Sequence, residues 1–82
     1  MNYKYSNRGT CSSAVEFEID SGKLHNVRFV GGCNGNLKAI GLLVEGADAK
    51  EVANKLRGNT CGFRSTSCAD QLACAIEKAL AE

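Results

Sequence analysis

The side chains with the most chemistry to offer are five cysteines in a chain of 82 residues. Four of them adjoin a glycine, a serine or a threonine. These four are Cys11, Cys33, Cys61 and Cys68. Soft thiolates in a set of four suit tetrahedral zinc, or an iron–sulfur cluster, far better than magnesium or calcium. The sequence therefore predicts a metal site formed by these thiolates, with zinc as the expected ion and an iron–sulfur cluster as the alternative.

The same cysteines allow two other interpretations. No Cys-x-x-Cys pair occurs, so the spacing is less specific than that of a zinc ribbon. A pair such as Cys61 and Cys68 could instead cycle between dithiol and disulfide, which would make the chain a thiol-redox domain. The cysteines could also be small apolar side chains that fill a core. The residues alone leave these alternatives open.

The fifth cysteine, Cys74, is predicted to lie on a different side of its helix from Cys68. At about 100° per residue, Cys68 falls about 40° from Leu72, whereas Cys74 falls about 200° from it. Cys74 therefore shares the polar side with Glu77 and Lys78. It is not counted among the metal ligands.

The elements that must position these cysteines begin with strands. Val15, Phe17 and Ile19 alternate with acidic residues, and an apolar alternation returns over 24–30. This period is typical of strands with one buried face, and the intervening Ser-Gly is turn chemistry. The sequence predicts an antiparallel hairpin, preceded by an edge strand within 2–10.

Three helices are predicted after the hairpin. The first begins at Cys33 or Asn34, a capping box from Asp48 to Glu51 opens the second, and the third begins near Cys68. The apolar positions of the first helix are Leu37, Ile40, Leu43 and Val44. Unpaired N–H groups and the helix dipole favour a thiolate at a helix start, as expected for Cys33 and Cys68. The predicted fold class is α+β: a small antiparallel sheet of two or three strands, followed by three helices packed on one face.

Composition excludes several classes of protein. Ten basic residues against nine acidic ones give a net charge of +1, spread along the chain, so no nucleic-acid interface is expected. No apolar run approaches the roughly 18 residues of a membrane span, and no signal peptide is recognised. We therefore predict one cytoplasmic domain over 1–82 with reduced thiols. A bound metal would stabilise its small core. His25 is expected on the surface, and Asp70 as a first-turn helix charge.

Three segments of the chain closely resemble the TSCPD-domain family of small bacterial proteins. They are Gly9-Thr10-Cys11, the run from Val27 through Gly31-Gly32-Cys33-Asn34-Gly35 to Leu37, and Ser65-Thr66-Ser67-Cys68-Ala69-Asp70-Gln71-Leu72. Ala69 stands where the family has proline, which presets φ in a first helical turn but adds no chemistry. A similar cysteine-bearing domain is appended to vitamin B12-dependent ribonucleotide reductases. The resemblance implies a reductase-associated domain with a protein partner.

A more distant resemblance is to the NifU-type iron–sulfur scaffold proteins. In that family three cysteines and a neighbouring histidine or aspartate hold zinc or a nascent cluster at one end of the domain. Cys11, Cys33 and Cys68 match those three cysteines. Serines replace the family's aspartate and histidine, and Cys61 is an additional thiol that could act as the fourth ligand.

The predicted function is a small cytoplasmic metal-binding domain that serves as an accessory or interaction module. The competing classes are a thiol-redox or ribonucleoside-diphosphate-reductase-associated domain and an iron–sulfur scaffold-like protein. The chain is not expected to reduce ribonucleotides alone, because that reaction needs a cofactor cavity and a nucleotide site. The sequence does not specify the metal, the partner or the oligomeric state.

Overall fold

The computed structural model describes residues 2–7, 12–32, 34–60 and 66–81. Within these residues the chain forms three strands followed by three helices. They are β1 (Asn2–Ser6), β2 (Ser12–Asp20), β3 (Lys23–Gly31), α1 (Asn34–Val44), α2 (Ala49–Leu56) and α3 (Cys68–Ala81). The strands form an antiparallel sheet in the order β1-β2-β3. The predicted α+β architecture, the hairpin and the edge strand are confirmed.

The hairpin of β2 and β3 contains two irregularities. Its turn places Ser21 and Gly22 at positive φ, as a tight turn between twisted strands requires. Near the open end of the hairpin, β2 carries one extra residue between Ser12 and Ala14. Nearer the turn, β3 carries the extra residue, and Asn26 there has a φ of 54°. Such bulges rotate the strand locally and change which side chains face inward.

The hydrophobic core lies between one face of the sheet and the helices. Its buried members from the sheet are Val15, Phe17, Leu24 and Val27. More than half of the residues of α3 are buried, and α2 supplies Ala49, Val52 and Ala53. The opposite sheet face is charged, with Glu16 lying 3.8 Å from both Lys4 and Arg28. An antiparallel sheet with one wet face agrees with the alternation read from the sequence.

Helix α1 packs along β3 through a narrower apolar stripe than predicted. Leu37 is buried, and Ile40 and Val44 are partly buried against the core. The prediction that Leu43 joins this stripe is wrong, because its side chain is 82% exposed. Leu42 beside it is 71% exposed. The helix touches the molecule on one side, so two of its leucines remain outside the core.

Helix α2 begins at the predicted capping box and is fixed to the turn of the hairpin. Asp48 accepts a hydrogen bond of 3.0 Å from the backbone N–H of Glu51. Backbone bonds of 2.8 Å run from the N–H of Ala49 to the carbonyl of Gly22 and from Leu24 to Ala47. The connection between α1 and α2 therefore closes the turn end of the hairpin.

None of the described helices is long and apolar enough to cross a bilayer.

The close approach of α1 to β3 predicts the effect of one substitution. A Cβ atom built on Gly41 would lie 2.7 Å from the carbonyl oxygen of Val27, so the helix would have to move. We expect Gly41→Ala to lower the free energy of unfolding by about 1–3 kcal/mol, despite alanine's higher helix propensity. Urea denaturation measures this. The control is Gly35→Ala in the same helix, where a Cβ meets nothing within 4 Å and stability should not fall. Equal stability of the two variants would contradict the close packing.

Candidate functional site

Cys68 occupies the first position of α3 and is 8% exposed. It is not part of a disulfide bond. The sequence prediction that this thiol lies at a helix start is confirmed. The unpaired N–H groups of a first helical turn stabilise negative charge on an adjacent sulfur atom. Cys68 therefore combines burial with an environment suited to a thiolate ligand.

Ser67 is the N-cap that holds this helix start in place. Its Oγ accepts a 3.1 Å hydrogen bond from the backbone N–H of Asp70 and donates one to the carbonyl of Asn59. The carbonyl of Ser67 accepts the first helical bond, 2.8 Å from the N–H of Gln71. The segment after α2 is thus attached directly to the residue that precedes Cys68.

Asp70 provides a second attachment between the same two segments. Its carboxylate accepts hydrogen bonds from the Thr66 hydroxyl and from the backbone N–H of Gly58, the latter 2.7 Å long. Both hydrogen bonds lower the pKa of Asp70, and the one from Thr66 has the larger effect. The positive charge of Arg57 acts in the same direction. Asp70 is a first-turn charge as predicted, and it also anchors the end of α2.

Ser12, at the start of β2, lies against Cys68. Its Oγ is 2.9 Å from the Cys68 Sγ, and the residue is 2% exposed. The Nδ2 of Asn7 donates a 2.7 Å hydrogen bond to the same Ser12 Oγ. A partly buried polar chain therefore leads from the residue after β1 through β2 to the first turn of α3.

The described neighbours of the other predicted ligands come together around Cys68. Ser12, which follows Cys11, is paired in the sheet with Gly31. Gly31 and Gly32 precede Cys33 and both have positive φ, 76° and 81°, which turns the chain from β3 towards α1. Asn59, two residues before Cys61, accepts the hydrogen bond from Ser67. The residue after Cys11 thus contacts Cys68, the strand before Cys33 is paired with that residue, and the segment before Cys61 is bonded to the residue before Cys68.

Three of the four predicted ligands, Cys11, Cys33 and Cys61, lie outside the described residues. Their role as ligands stays a prediction. Among residues 2–7, 12–32, 34–60 and 66–81, no group of three histidine, cysteine or acidic side chains is arranged to hold a metal ion. Within those ranges Cys68 is the one predicted ligand that can be placed.

His25 lies near the turn of the hairpin, at the other end of β3 from Gly31. Its Nδ1 is 2.8 Å from Glu45, in a pair of which both side chains are substantially exposed. The pKa of Glu45 is lowered most by a hydrogen bond from the Asn26 N–H, and next by the hydrogen bond with His25. The expectation that His25 is a surface residue is confirmed.

Cys74 is half-buried on α3, beside the ion pair formed by Arg57 and Glu77. Burial is the main cause that raises the pKa of its thiol, and Asp70 and Glu77 add to the effect while Arg57 opposes it. The predicted polar surroundings are present, but the thiol is less accessible than a fully exposed position would make it. Cys74 is also not part of a disulfide bond.

Two residues of this site, Ser12 and Asn7, were missed by sequence reasoning. The alternation of β2 extended backwards from Val15 would turn Ser13 inward and Ser12 outward. The bulge reverses this, since Ser13 is exposed and its Oγ bonds the carbonyl of Val30. No residue type in the segment signals the bulge. The position of Ser12 next to Cys11 was the only indication.

A shallow groove of about 470 Å³ lies elsewhere, between α1 and β3. Its apolar lining comes from Val27, Phe29, Leu37 and Leu42. Gly31 also lines it, but Asn7, Ser12 and Cys68 do not, and the described lining residues include no nucleophile with a base beside it.

Comparison with known proteins identifies a single domain type. The TSCPD domain family matches residues 1–80 of the chain. No curated protein and no solved structure gives a significant match.

The double attachment at Asp70 predicts a graded loss of stability. Asp70→Ala leaves the Gly58 N–H and the Thr66 hydroxyl without their acceptor, so the free energy of unfolding should fall by about 1–3 kcal/mol. Asp70→Asn keeps one carbonyl acceptor and should lose less. Urea denaturation of both variants tests the order. If Asp70→Asn proved as damaging as Asp70→Ala, the carboxylate charge rather than the hydrogen bonds would be responsible.

The surroundings of Cys74 predict its reactivity. Because its thiol pKa is raised, alkylation by iodoacetamide in the native protein should be slow near neutral pH and should accelerate as the pH rises above the ordinary thiol range. Glu77→Gln removes a negative neighbour and leaves the positive Arg57 beside the thiol, so the rate at pH 8 should rise. Peptide mass mapping over time measures the rate at this residue alone.

The control for that measurement is Glu51→Gln. Glu51 is an exposed glutamate on α2 that lies 3.9 Å from Lys55. This variant should leave the alkylation rate of Cys74 unchanged. Equal acceleration in both variants would indicate an effect of net charge rather than of the local ion pair.

Proposed function

The chain belongs to the TSCPD domain family, and from that premise we propose that it is a small metal-binding accessory domain. Its ion is zinc, held by Cys11, Cys33, Cys61 and Cys68. An iron–sulfur cluster on the same thiolates is the alternative occupant. The domain serves another protein rather than catalysing a reaction alone.

The observation that carries this proposal is the environment of Cys68. The thiol is buried, lies at the N-terminus of α3 and is hydrogen-bonded to Ser12. The segments adjoining the other three cysteines approach it through the pairing of Ser12 with Gly31 and the bond from Ser67 to Asn59. Cysteines used only as core filler need neither a helix start nor such convergence. The donor set fits zinc because thiolate sulfur is a preferred zinc ligand.

The chain's own residues have distinct tasks in such a site. The first turn of α3 stabilises the negative charge that a deprotonated Cys68 carries. Ser67 and Asp70 attach the end of α2 to this turn, which holds the segment leading to Cys61 near it. A zinc ion bound by four thiolates has no open position and is structural. Its contribution here is to tie the strands to the helices.

A thiol-redox domain is the second candidate function. The hydrogen bond from Ser67 to Asn59 favours it, because it holds the segment before Cys61 against the residue before Cys68. In this case Cys61 and Cys68 exchange between two thiols and one disulfide, and a partner dithiol–disulfide couple accepts or supplies the two electrons and two protons. A metal-bound site and this cycle exclude each other for the same sulfur atoms.

The proposed partner is another protein, and a ribonucleotide reductase is the first candidate, from the resemblance to its appended domain. We also propose a reducing, cytoplasmic location, since a site of four thiolates requires reduced cysteines. Neither a nucleic acid nor a membrane is proposed as a partner.

The metal proposal predicts that ion and fold are linked. A structural zinc site contributes apparent binding free energy on the order of 10 kcal/mol, comparable with the whole stability of a small domain. Purified protein should contain stoichiometric metal, and a strong chelator should remove it and lower the melting temperature. Acidification should act in the same direction, because thiolates must gain protons when they release the ion. Metal analysis and thermal melting on the same samples provide the test.

Matched variants separate the ligands from the fifth cysteine. Cys68→Ala and Cys33→Ala should lose metal and stability, whereas Cys74→Ser should keep stoichiometric metal. Metal removal without a change in melting temperature would contradict the structural role. Protein without metal, in which two thiols become unavailable to reagents after mild oxidation, would favour the redox function instead. Visible absorbance of the purified protein would indicate an iron–sulfur cluster.

A further inference from the structure

The hydrogen bonds around Cys68 have a direction. The Asn7 Nδ2 can only donate, so the Ser12 Oγ must be the acceptor in the 2.7 Å contact between them. In the 2.9 Å contact between Ser12 and Cys68, either atom can be the donor in a neutral protein. A sulfur atom bound to a metal has lost its proton, and in that state only the Ser12 hydroxyl can donate.

We propose that Ser12 and Asn7 form an outer-shell relay that directs a hydrogen bond onto the Cys68 thiolate of the metal site. The relay rests on the proposed function, because it acts on a metal-bound sulfur. Asn7 donates to Ser12, and Ser12 in turn donates to Cys68. Outer-shell donors of this kind hold a ligand in its orientation and adjust its electron donation to the metal.

The orientation of the Asn7 amide agrees with hydrogen-bond donation that runs from Asn7 to Ser12 and on to Cys68. Its backbone N–H bonds the carbonyl of Ser13 at 2.9 Å, which fixes the residue beside β2. Its Oδ1 is buried and has no hydrogen-bond partner among the described residues. In this orientation the Nδ2 donates to the Ser12 oxygen, and the Ser12 hydroxyl proton can then point towards the Cys68 sulfur.

The location of Ser12 makes it a positioning residue rather than a ligand. It lies at the bulge of β2, is 2% exposed and contacts the sulfur atom from the sheet side. Its hydroxyl therefore restricts the rotation of the Cys68 side chain and keeps water away from the sulfur. Ser13, one residue further on, is exposed and bonds a backbone carbonyl instead.

Substitutions at Ser12 can separate the hydroxyl from the shape of the side chain. Ser12→Ala removes the hydroxyl, while Ser12→Thr and Ser12→Val have nearly the same shape and differ in the hydroxyl alone. Ser13→Ala is the matched control on the neighbouring exposed residue. The 82-residue protein is loaded with zinc, and its affinity is measured by competition with a chromophoric chelator. The same proteins loaded with cobalt report the ligand field through their thiolate-to-cobalt absorption.

The relay predicts a specific pattern. Ser12→Ala and Ser12→Val should weaken zinc binding about 10- to 100-fold, the usual effect of losing an outer-shell partner. Their thiolate-to-cobalt band should move to longer wavelength, because a sulfur without its hydrogen bond is a better electron donor. Ser12→Thr should restore both properties relative to Ser12→Val, and Ser13→Ala should match the unmodified protein. A packing role alone would not make the Thr and Val variants differ in their spectra.

Failure of the relay can be distinguished from failure of the metal site. If the unmodified protein binds zinc and the Thr and Val variants bind it equally well with identical cobalt spectra, the relay is wrong and the metal proposal stands. If the unmodified protein binds neither ion, both proposals are wrong. If Ser12→Ala does not fold, the comparison of Ser12→Thr with Ser12→Val decides. If only Ser12→Val fails to fold, an unshifted thiolate-to-cobalt band in Ser12→Ala overturns the relay.

Discussion

The buried first turn of α3 is the constraint on which the rest of the structure depends. A helix start presents backbone N–H groups that have no partner within the helix, and these groups cannot be left unpaired inside a core. Here the Ser67 hydroxyl accepts a hydrogen bond from the Asp70 N–H, while the Asp70 carboxylate accepts one from the N–H of Gly58 after α2. The end of α2 and the start of β2 are both attached at this point, and the end of β3 is paired with the start of β2. The helix start that needs partners is also the place where the Cys68 thiol is held.

The alternation of apolar residues was sufficient to predict the hairpin, and the capping box was sufficient to predict the start of α2. These signals are local, since each depends on residues within one element. The position of Ser12 depends on a bulge that no local residue type requires, so the strand period assigns it to the wrong face. The exposure of Leu43 depends on which side of α1 packs against β3, which is a tertiary property. Cys68 was predicted correctly at its helix start, whereas the ligand roles of Cys11, Cys33 and Cys61 remain predictions.

The two ends of the hairpin are held by different kinds of interaction. At the turn end, backbone hydrogen bonds join Leu24 to Ala47 and Ala49 to Gly22, and many residue types would preserve those bonds. At the open end, the contacts come from the side chains of Asn7, Ser12 and Cys68, which few other residues could replace. Specific chemistry is concentrated where the identity of the side chains matters. The open end is therefore the part of the fold in which a function should be sought.

The edge strand β1 has a consequence for optical measurements on this protein. The chain has no tryptophan and two tyrosines, Tyr3 and Tyr5, and both lie on β1. The Tyr3 ring stacks on Phe17 with centroids 5.5 Å apart, and the Lys78 ammonium lies 5.7 Å from the centroid of the Tyr5 ring. Intrinsic fluorescence therefore reports the docking of one edge strand on its neighbours, and a signal from the α1 side of the molecule requires an added fluorophore.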